Sequence, residues 1–302
     1  MNLEIKQLEH RISNCLVNAC SLVANWKTGK YEHLLISESY LSIKDINKGY
    51  INNENISVIN ENQLLDIFRN EYHLDYKWKR SFCENDLELI KNKLDEGYPV
   101  GITTNLYYCN WSSLYNKDKS DYHFILLTGY ENDYFYCLDN ISLKMEIISF
   151  QEVLRSCTEY VTFSPFLDAI TNYLDDNYNE MILFNRNTFL NSINSYINQI
   201  EKFLVSNEDG NSFTLESVPL ARRCKSMDDN HKDMIFYLHQ KECYDLDSLL
   251  EEICKEWNMT KNGLIKVGFS SNKKGNMQNI LNHFIKIKEL EEELFSNLLN
   301  IK

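Results

Sequence analysis

Residues 121–140 read DYHFILLTGYENDYFYCLDN. Their pattern predicts a β-hairpin with chemistry at its open end. His123 opens the apolar run Phe124-Ile-Leu-Leu-Thr128. Gly129 and the polar turn Glu131-Asn-Asp133 follow, and a second run, Tyr134-Phe-Tyr-Cys-Leu138, ends on Asp139. Two strands joined by a short turn reverse the chain, so His123 and Asp139 fall at the same end although they are sixteen positions apart (139 − 123). A carboxylate beside an imidazole orients the ring and keeps it basic. An amide oxygen is also able to accept the ring N–H. The pair lacks only a nucleophile, and the candidate lies upstream at Cys15.

In the segment Cys15-Leu-Val-Asn-Ala-Cys-Ser-Leu-Val-Ala-Asn-Trp26, residues Leu16, Ala19, Cys20, Val23 and Trp26 recur at helical spacing. This predicts a buried helix capped by Ser13 or Asn14. Cys15 then sits in the first turn, where the helix dipole favours thiolate over thiol. Taken alone, Cys15 reads as a structural thiol, and Cys20, deeper in the apolar stripe, reads as core. The downstream His and Asp move Cys15 into the functional class.

Around these two elements the chain predicts a polar helix over about residues 2–10 and a mixed helix-and-loop region over 30–80. The latter carries the apolar stretches Leu34-Leu-Ile36, Ile56-Ser-Val-Ile59 and Leu64-Leu-Asp-Ile-Phe68. A helix from Leu87 to Leu94 stops at Glu96-Gly97-Tyr98-Pro99, and Val100-Gly-Ile-Thr-Thr104 has strand character. A polar, aromatic loop from Asn105 to Ser120 leads into the hairpin. Lys144-Met-Glu-Ile-Ile148 continues the meander, and Tyr160-Val-Thr-Phe163 closes the sheet after a short helix at Gln151 to Arg155. A nucleophile helix packed on a later antiparallel sheet is an α+β arrangement.

The character changes after Pro165. Helical stripes run through Phe189, Ile193, Tyr196, Ile197, Ile200, Phe203 and Leu204, then Leu246, Leu249, Leu250, Ile253 and Trp257, then Ile280, Leu281, Phe284, Leu294, Phe295 and Leu298. Two domains are expected, 1–164 catalytic and 165–302 helical, with loops at Asn207 to Ser212 and Ser270 to Gly275. The helical domain has three candidate roles besides simple structure: lid, docking platform or dimer surface. The compact basic spots are Arg222-Arg223 with Lys225, and Lys273-Lys274. His231, His239 and His283 show no ligand-like spacing to one another or to a nearby acid.

Composition bounds the rest. The net charge of −13 argues against nucleic acid as the main partner. No N-terminal stretch pairs a basic region with an apolar run, and no segment approaches the roughly 18 apolar residues that span a membrane. A cytoplasmic protein is expected. Nine cysteines, an odd number without a CxxC pair, fit reduced thiols better than disulfides or zinc.

The order Cys, then His at the start of a strand, then Asp at the end of the next resembles the papain-like cysteine enzymes. NCLVNAC, residues 14–20, resembles the nucleophile helix of the double-glycine leader peptidases. EGYPVGITTNLYYCNW (96–111), YHFILLTGY (122–130) and YCLDN (136–140) resemble more closely the N-terminal domain of the butirosin biosynthesis protein H family and closthioamide-type amide synthetases. The resemblance covers about residues 10–163. It implies a papain-like fold and an acyltransferase that moves an acyl chain from a carrier-protein thioester to a small amine in natural-product biosynthesis. No cofactor would be bound by the enzyme itself, the carrier presenting the phosphopantetheine arm. Carried over, Cys15 is the nucleophile, His123 the general base and acid, and Asp139 the residue that orients the imidazole. Three positions depart from the leader-peptidase pattern: Asn14 replaces an acidic residue, Asn140 replaces a proline, and Glu9 stands where those enzymes carry an oxyanion-hole glutamine. The oxyanion hole is then left to backbone N–H groups at the start of the Cys15 helix, with Gln7 as a weaker candidate.

Residue chemistry allows either outcome once a thiolate has formed an acyl-enzyme, because water, an amine or an alcohol can receive the acyl group. Trp111, Tyr107, Tyr108 and Tyr115 are candidates for an apolar substrate wall, although an aromatic loop is more often packing. A cysteine peptidase or amidase using the same triad is the alternative. A non-catalytic protein on a degenerate scaffold is disfavoured by the presence of Cys, His and Asp together.

Overall fold

The structure, a computed structural model, describes residues 2–12, 14–36, 42–43, 56–57, 61–119, 122–142, 144–167, 173–205 and 211–301. The chain divides into two compact units, Met1–Leu34 with Leu64–Leu174, and Leu35–Gln63 with Asp175–Lys302.

In the first unit, α1 (Cys15–Thr28) is the helix that opens on Cys15. Asn14 caps it, as one of the two expected residues; Ser13, the other, lies outside the described residues. Gly29, at φ 74°, ends it by directing its N–H to the Asn25 carbonyl. Helix α2 (His33–Ile36) takes up the Leu34-Leu-Ile36 stretch, and α3 (Glu61–Tyr72) takes up Leu64–Phe68. Of the Ile56–Ile59 stretch, which belongs to the second unit, Ile56–Ser57 (β2) pairs with Ser42–Ile43 (β1); residues 58–59 lie outside the described residues.

The sheet is six-stranded and antiparallel: β3 (Leu74–Lys79), β4 (Val100–Asn105), β5 (Tyr122–Glu131), β6 (Tyr134–Leu138), β7 (Glu146–Ser149) and β8 (Tyr160–Pro165), in the order β3-β8-β4-β5-β6-β7. This is a papain-like α+β fold. Two features differ from expectation. The edge strand β3 lies within the stretch read as helix and loop, where LDYKWK alternates apolar with polar over only six residues. Strand β8 does not extend the meander beyond β7, because helix α5 (Phe150–Ser156) carries the chain back to insert β8 between β3 and β4.

Helix α4 (Asp86–Asp95) and α5 pack on one face of the sheet. There Ile90, Leu94, Val100, Ile102, Ile125, Leu127, Phe135, Ile148, Phe150, Val153 and Tyr160 form one buried cluster. Gly97, at φ 85°, turns the chain out of α4 into β4. Strands alternate faces, so His123 shares its face with Ile125 and Leu127, on the side of this cluster. Phe124 points the other way. Its ring lies over Gly101 of β4, where an added Cβ would meet ring carbons at 2.5 Å, so that glycine is what lets β5 lie flat beside its neighbour.

The expected helix over residues 2–10 is absent. Asn2 bridges Gly129 and the Leu3 N–H donates to the Thr128 carbonyl at 2.8 Å, beside the irregularity in β5–β6 pairing between Leu127 and Gly129. Ile5, Leu8 and Ile12 of this stretch are nevertheless buried. Within the segment the Ile5 N–H donates to the Leu3 carbonyl at 2.9 Å, and its long-range bonds, from the Leu3 N–H and from Gln7, run to the hairpin and the turn after it.

The second unit is mostly helical: α6 (Tyr173–Val205), α7 (Asn211–Gln240), α8 (Asp247–Phe269) and α9 (Lys273–Leu298). Of the expected loop 207–212, residues 207–210 lie outside the described residues and Asn211 and Ser212 begin α7. The loop at 270–275 is shorter than expected, because Asn272 already caps α9. Tyr196 stacks on Phe284, and Trp257 meets Phe284 edge-on. The three histidines do find acids across long sequence separations. His231 Nε2 lies 2.9 Å from Glu291 Oε1, His239 Nε2 2.9 Å from Asp247, and His283 Nδ1 2.6 Å from Glu256. Lys225, in the basic spot with Arg222 and Arg223, is engaged by Asp228 and Asp229 of its own helix. Among the described residues, no helix is long and apolar enough to cross a membrane.

Candidate active site

Cys15 is the first residue of α1. The Asn14 side-chain oxygen accepts the Leu16 and Val17 N–H groups at 3.0 and 3.2 Å, which leaves the Cys15 N–H without a hydrogen-bond partner among the described residues. An amide caps as well as a carboxylate here, which accounts for Asn14 in place of an acid. Cys15 is half-buried, whereas Cys20, on the next turn, is enclosed.

His123 and Asp139 meet as the hairpin predicts: His123 Nε2 lies 2.6 Å from Asp139 Oδ1, and both side chains are buried. With Nε2 committed, Nδ1 is the ring nitrogen left for Cys15. Burial by itself raises the Cys15 thiol. A hydrogen bond and positive charge from His123, with a hydrogen bond from the Phe124 backbone, outweigh that burial and the opposing charge of Asp139, and the thiol is held below its ordinary value. For His123 burial works downward, but the bonds and charges of Asp139 and Cys15 lift it to about 10. Asp139, also opposed by burial, is held below its usual range by His123, the Ile141 N–H and Trp111. All three directions describe a thiolate–imidazolium pair backed by a carboxylate. By contrast, burial pushes Cys109 and Cys157 up to about 12 and raises Cys20 and Cys137 as well.

Residues 5–164, more than half of the chain, match the Peptidase_C39 like family. The chain belongs to that family. No curated protein matches it.

The C39-like domain holds its Asp139 turn with residues the sequence did not identify as a group. Gln7 Nε2 donates to the carbonyls of Asp139 and Ser142, both at 2.8 Å. Asn140 Nδ2 donates to the Ile12 carbonyl at 3.1 Å, just ahead of the Cys15 helix. These two side chains staple the C39-like nucleophile segment to the Asp139 turn, so Asn140 replaces a proline's rigidity with a hydrogen bond. Gln7 therefore does not serve as the oxyanion donor: both its N–H groups are occupied. Glu9 is exposed.

The expected substrate wall divides. Trp111 donates its indole N–H to Asp139 Oδ2 at 2.6 Å and rests against the α4–α5 core cluster. Tyr107 and Tyr108 pack edge to face on each other, with the Lys119 ammonium over both rings. The motif YYCNW marked these aromatics as a group. Nothing in it indicated which one reaches the triad carboxylate.

Proposed function

We propose that the C39-like domain is a cysteine-dependent acyltransferase that forms an amide from a carrier-protein thioester and a small amine. The Cys15 thiolate attacks the thioester carbonyl, and the tetrahedral oxyanion collapses to acyl-Cys15. The carrier thiol leaves with the proton of the His123 imidazolium. The amine then attacks the new thioester, His123 takes its proton, and Cys15 departs as thiolate. The sum is thioester plus amine to amide plus thiol, with Asp139 holding the imidazole throughout. The carrier brings the phosphopantetheine arm, and Tyr107 and Tyr108 line the approach to His123.

The observation that supports this reading is the Cys15–His123–Asp139 cluster, with Nε2 of His123 on Asp139 and the Cys15 thiol lowered by His123, together with its sparse oxyanion machinery. The unpartnered Cys15 N–H is the available donor, and the glutamine of the leader-peptidase pattern has no counterpart, since Glu9 is exposed and Gln7 is engaged. Losing one oxyanion donor costs an acyl-transfer enzyme about 10²–10³ in rate. A thioester, already activated, tolerates that loss better than a peptide bond. The family match favours a second reading, a cysteine peptidase or amidase with the same triad.

Intact-protein mass spectrometry after mixing with acyl-loaded carrier protein separates the two. The transferase gives an acyl adduct on Cys15 that converts to amide when a diamine or aminoglycoside panel is added. An absent adduct with every thioester, together with cleavage of peptide substrates, overturns the transferase and leaves the peptidase.

A further inference from the structure

Asp139 receives three donors from three places. His123 Nε2 and the Ile141 N–H both reach Oδ1, at 2.6 and 3.0 Å, and the Trp111 indole N–H reaches Oδ2 at 2.6 Å. The carboxylate is buried, so neither oxygen has water as a ready substitute. Indole nitrogen is a donor only, as is a backbone N–H. A group at position 139 must therefore accept on both sides, which a carboxylate does and a carboxamide does not. An asparagine that turned its oxygen to His123 would set its NH₂ against the Trp111 N–H. Turned the other way, it would set the NH₂ against the Ile141 N–H and against His123. In that orientation His123 must present a bare Nε2, which moves the proton to Nδ1 and disables the ring as a base toward Cys15.

From this geometry we propose that Trp111 is a positioning residue: its indole N–H fixes the Asp139 carboxylate and thereby makes an acid obligatory in the third triad position. An amide oxygen is able to accept the ring N–H, but the amide's other end then faces the Trp111 donor. Trp111 acts through Asp139, and its loop, Leu106 to Lys119, is thereby fastened to the triad. Asn105 fastens the same loop by donating from its side chain to the Lys119 carbonyl at 2.6 Å.

The inference rests on Cys15, His123 and Asp139 acting as a unit, and its test needs no knowledge of the substrate. The rate of Cys15 alkylation by iodoacetamide at about pH 6 reports the thiolate that the His–Asp pair maintains. It is measured on the full chain as wild type, Asp139→Asn, Trp111→Phe and the double variant, with thermal melting as a control for folding. A leftover donor-to-donor contact slows alkylation in Asp139→Asn by at least about tenfold, and adding Trp111→Phe restores most of that loss, because the opposing N–H is gone. A merely structural Trp111 gives the opposite sign, the two losses accumulating. Replacing the Trp111 indole alone with benzothienylalanine keeps the ring's shape and removes only its N–H, so it repeats the rescue if Trp111→Phe disturbs packing. Additive losses with both replacements, or an Asp139→Asn variant that alkylates like wild type, overturn the proposal while leaving the triad standing. A wild-type Cys15 no more reactive than the exposed Cys83 overturns the triad reading itself.

Discussion

Cys15 and Cys20 lie on one helix five positions apart, and their surroundings give them opposite chemistry. Cys20 is buried among apolar neighbours that push its thiol upward, whereas Cys15 meets an imidazolium that pulls its thiol down. Cys15→Ala is expected to lower thioester turnover by about 10³-fold or more with an unchanged melting temperature. Cys20→Ala leaves a small void costing about 1 kcal/mol and keeps turnover within the same order. Turnover and thermal melting on both variants check this, and full activity in Cys15→Ala would move the nucleophile elsewhere. At this scale the placement of Cys15, His123 and Asp139 was legible, because a helix cap, a period of two and a short turn position them. The donors around Asp139 were not. Trp111 and Gln7 lie 28 and 132 positions from it and follow no periodicity that would mark them.

Among elements, the long helices α6, α8 and α9 and the hairpin were readable, whereas α7 was not among the stripes read from the sequence; the other failures have a common physical cause. Ile5, Leu8 and Ile12 have helical spacing, yet their segment's long-range hydrogen bonds run to the hairpin and the turn after it. Strand β3 shows too few alternations to outweigh its polar surroundings, and only pairing with β8 makes it a strand. The helical unit holds a comparable long-range surprise. His231 on α7 has Nδ1 2.6 Å from the Met227 carbonyl and Nε2 2.9 Å from Glu291 of α9, so both ring nitrogens face acceptors. Trp257 of α8 donates to the same Glu291 oxygen at 3.2 Å, and Asp228 adds its charge from the preceding turn of α7. Burial opposes the imidazolium, but Glu291, the Met227 carbonyl and Asp228 raise its pKa. The stability so gained is fully present below the unfolded value of about 6.5 and is lost as pH rises through the raised folded value. Glu291→Gln is expected to cost about 3 kcal/mol near neutral pH and to remove this alkaline loss. Thermal melting of both proteins across that range checks it, and parallel curves would contradict the assignment.

For the whole molecule, a C39-like domain over residues 5–164 accompanies a second, mostly helical unit, and Cys15, His123 and Asp139 all lie in the first. The sheet brings together a cysteine and a histidine 108 positions apart (123 − 15), and the staples at Gln7 and Asn140 fix the nucleophile segment to the triad turn. The central claim is that this assembly holds the Cys15 thiol below its ordinary value. The direct measurement is the rate of Cys15 alkylation in the intact chain as a function of pH, for wild type and His123→Ala. The account predicts a wild-type midpoint below the ordinary cysteine value of about 8.5, and a midpoint that climbs back toward or past that value in His123→Ala. A wild-type titration centred near about 8.5, unmoved by His123→Ala, would contradict it.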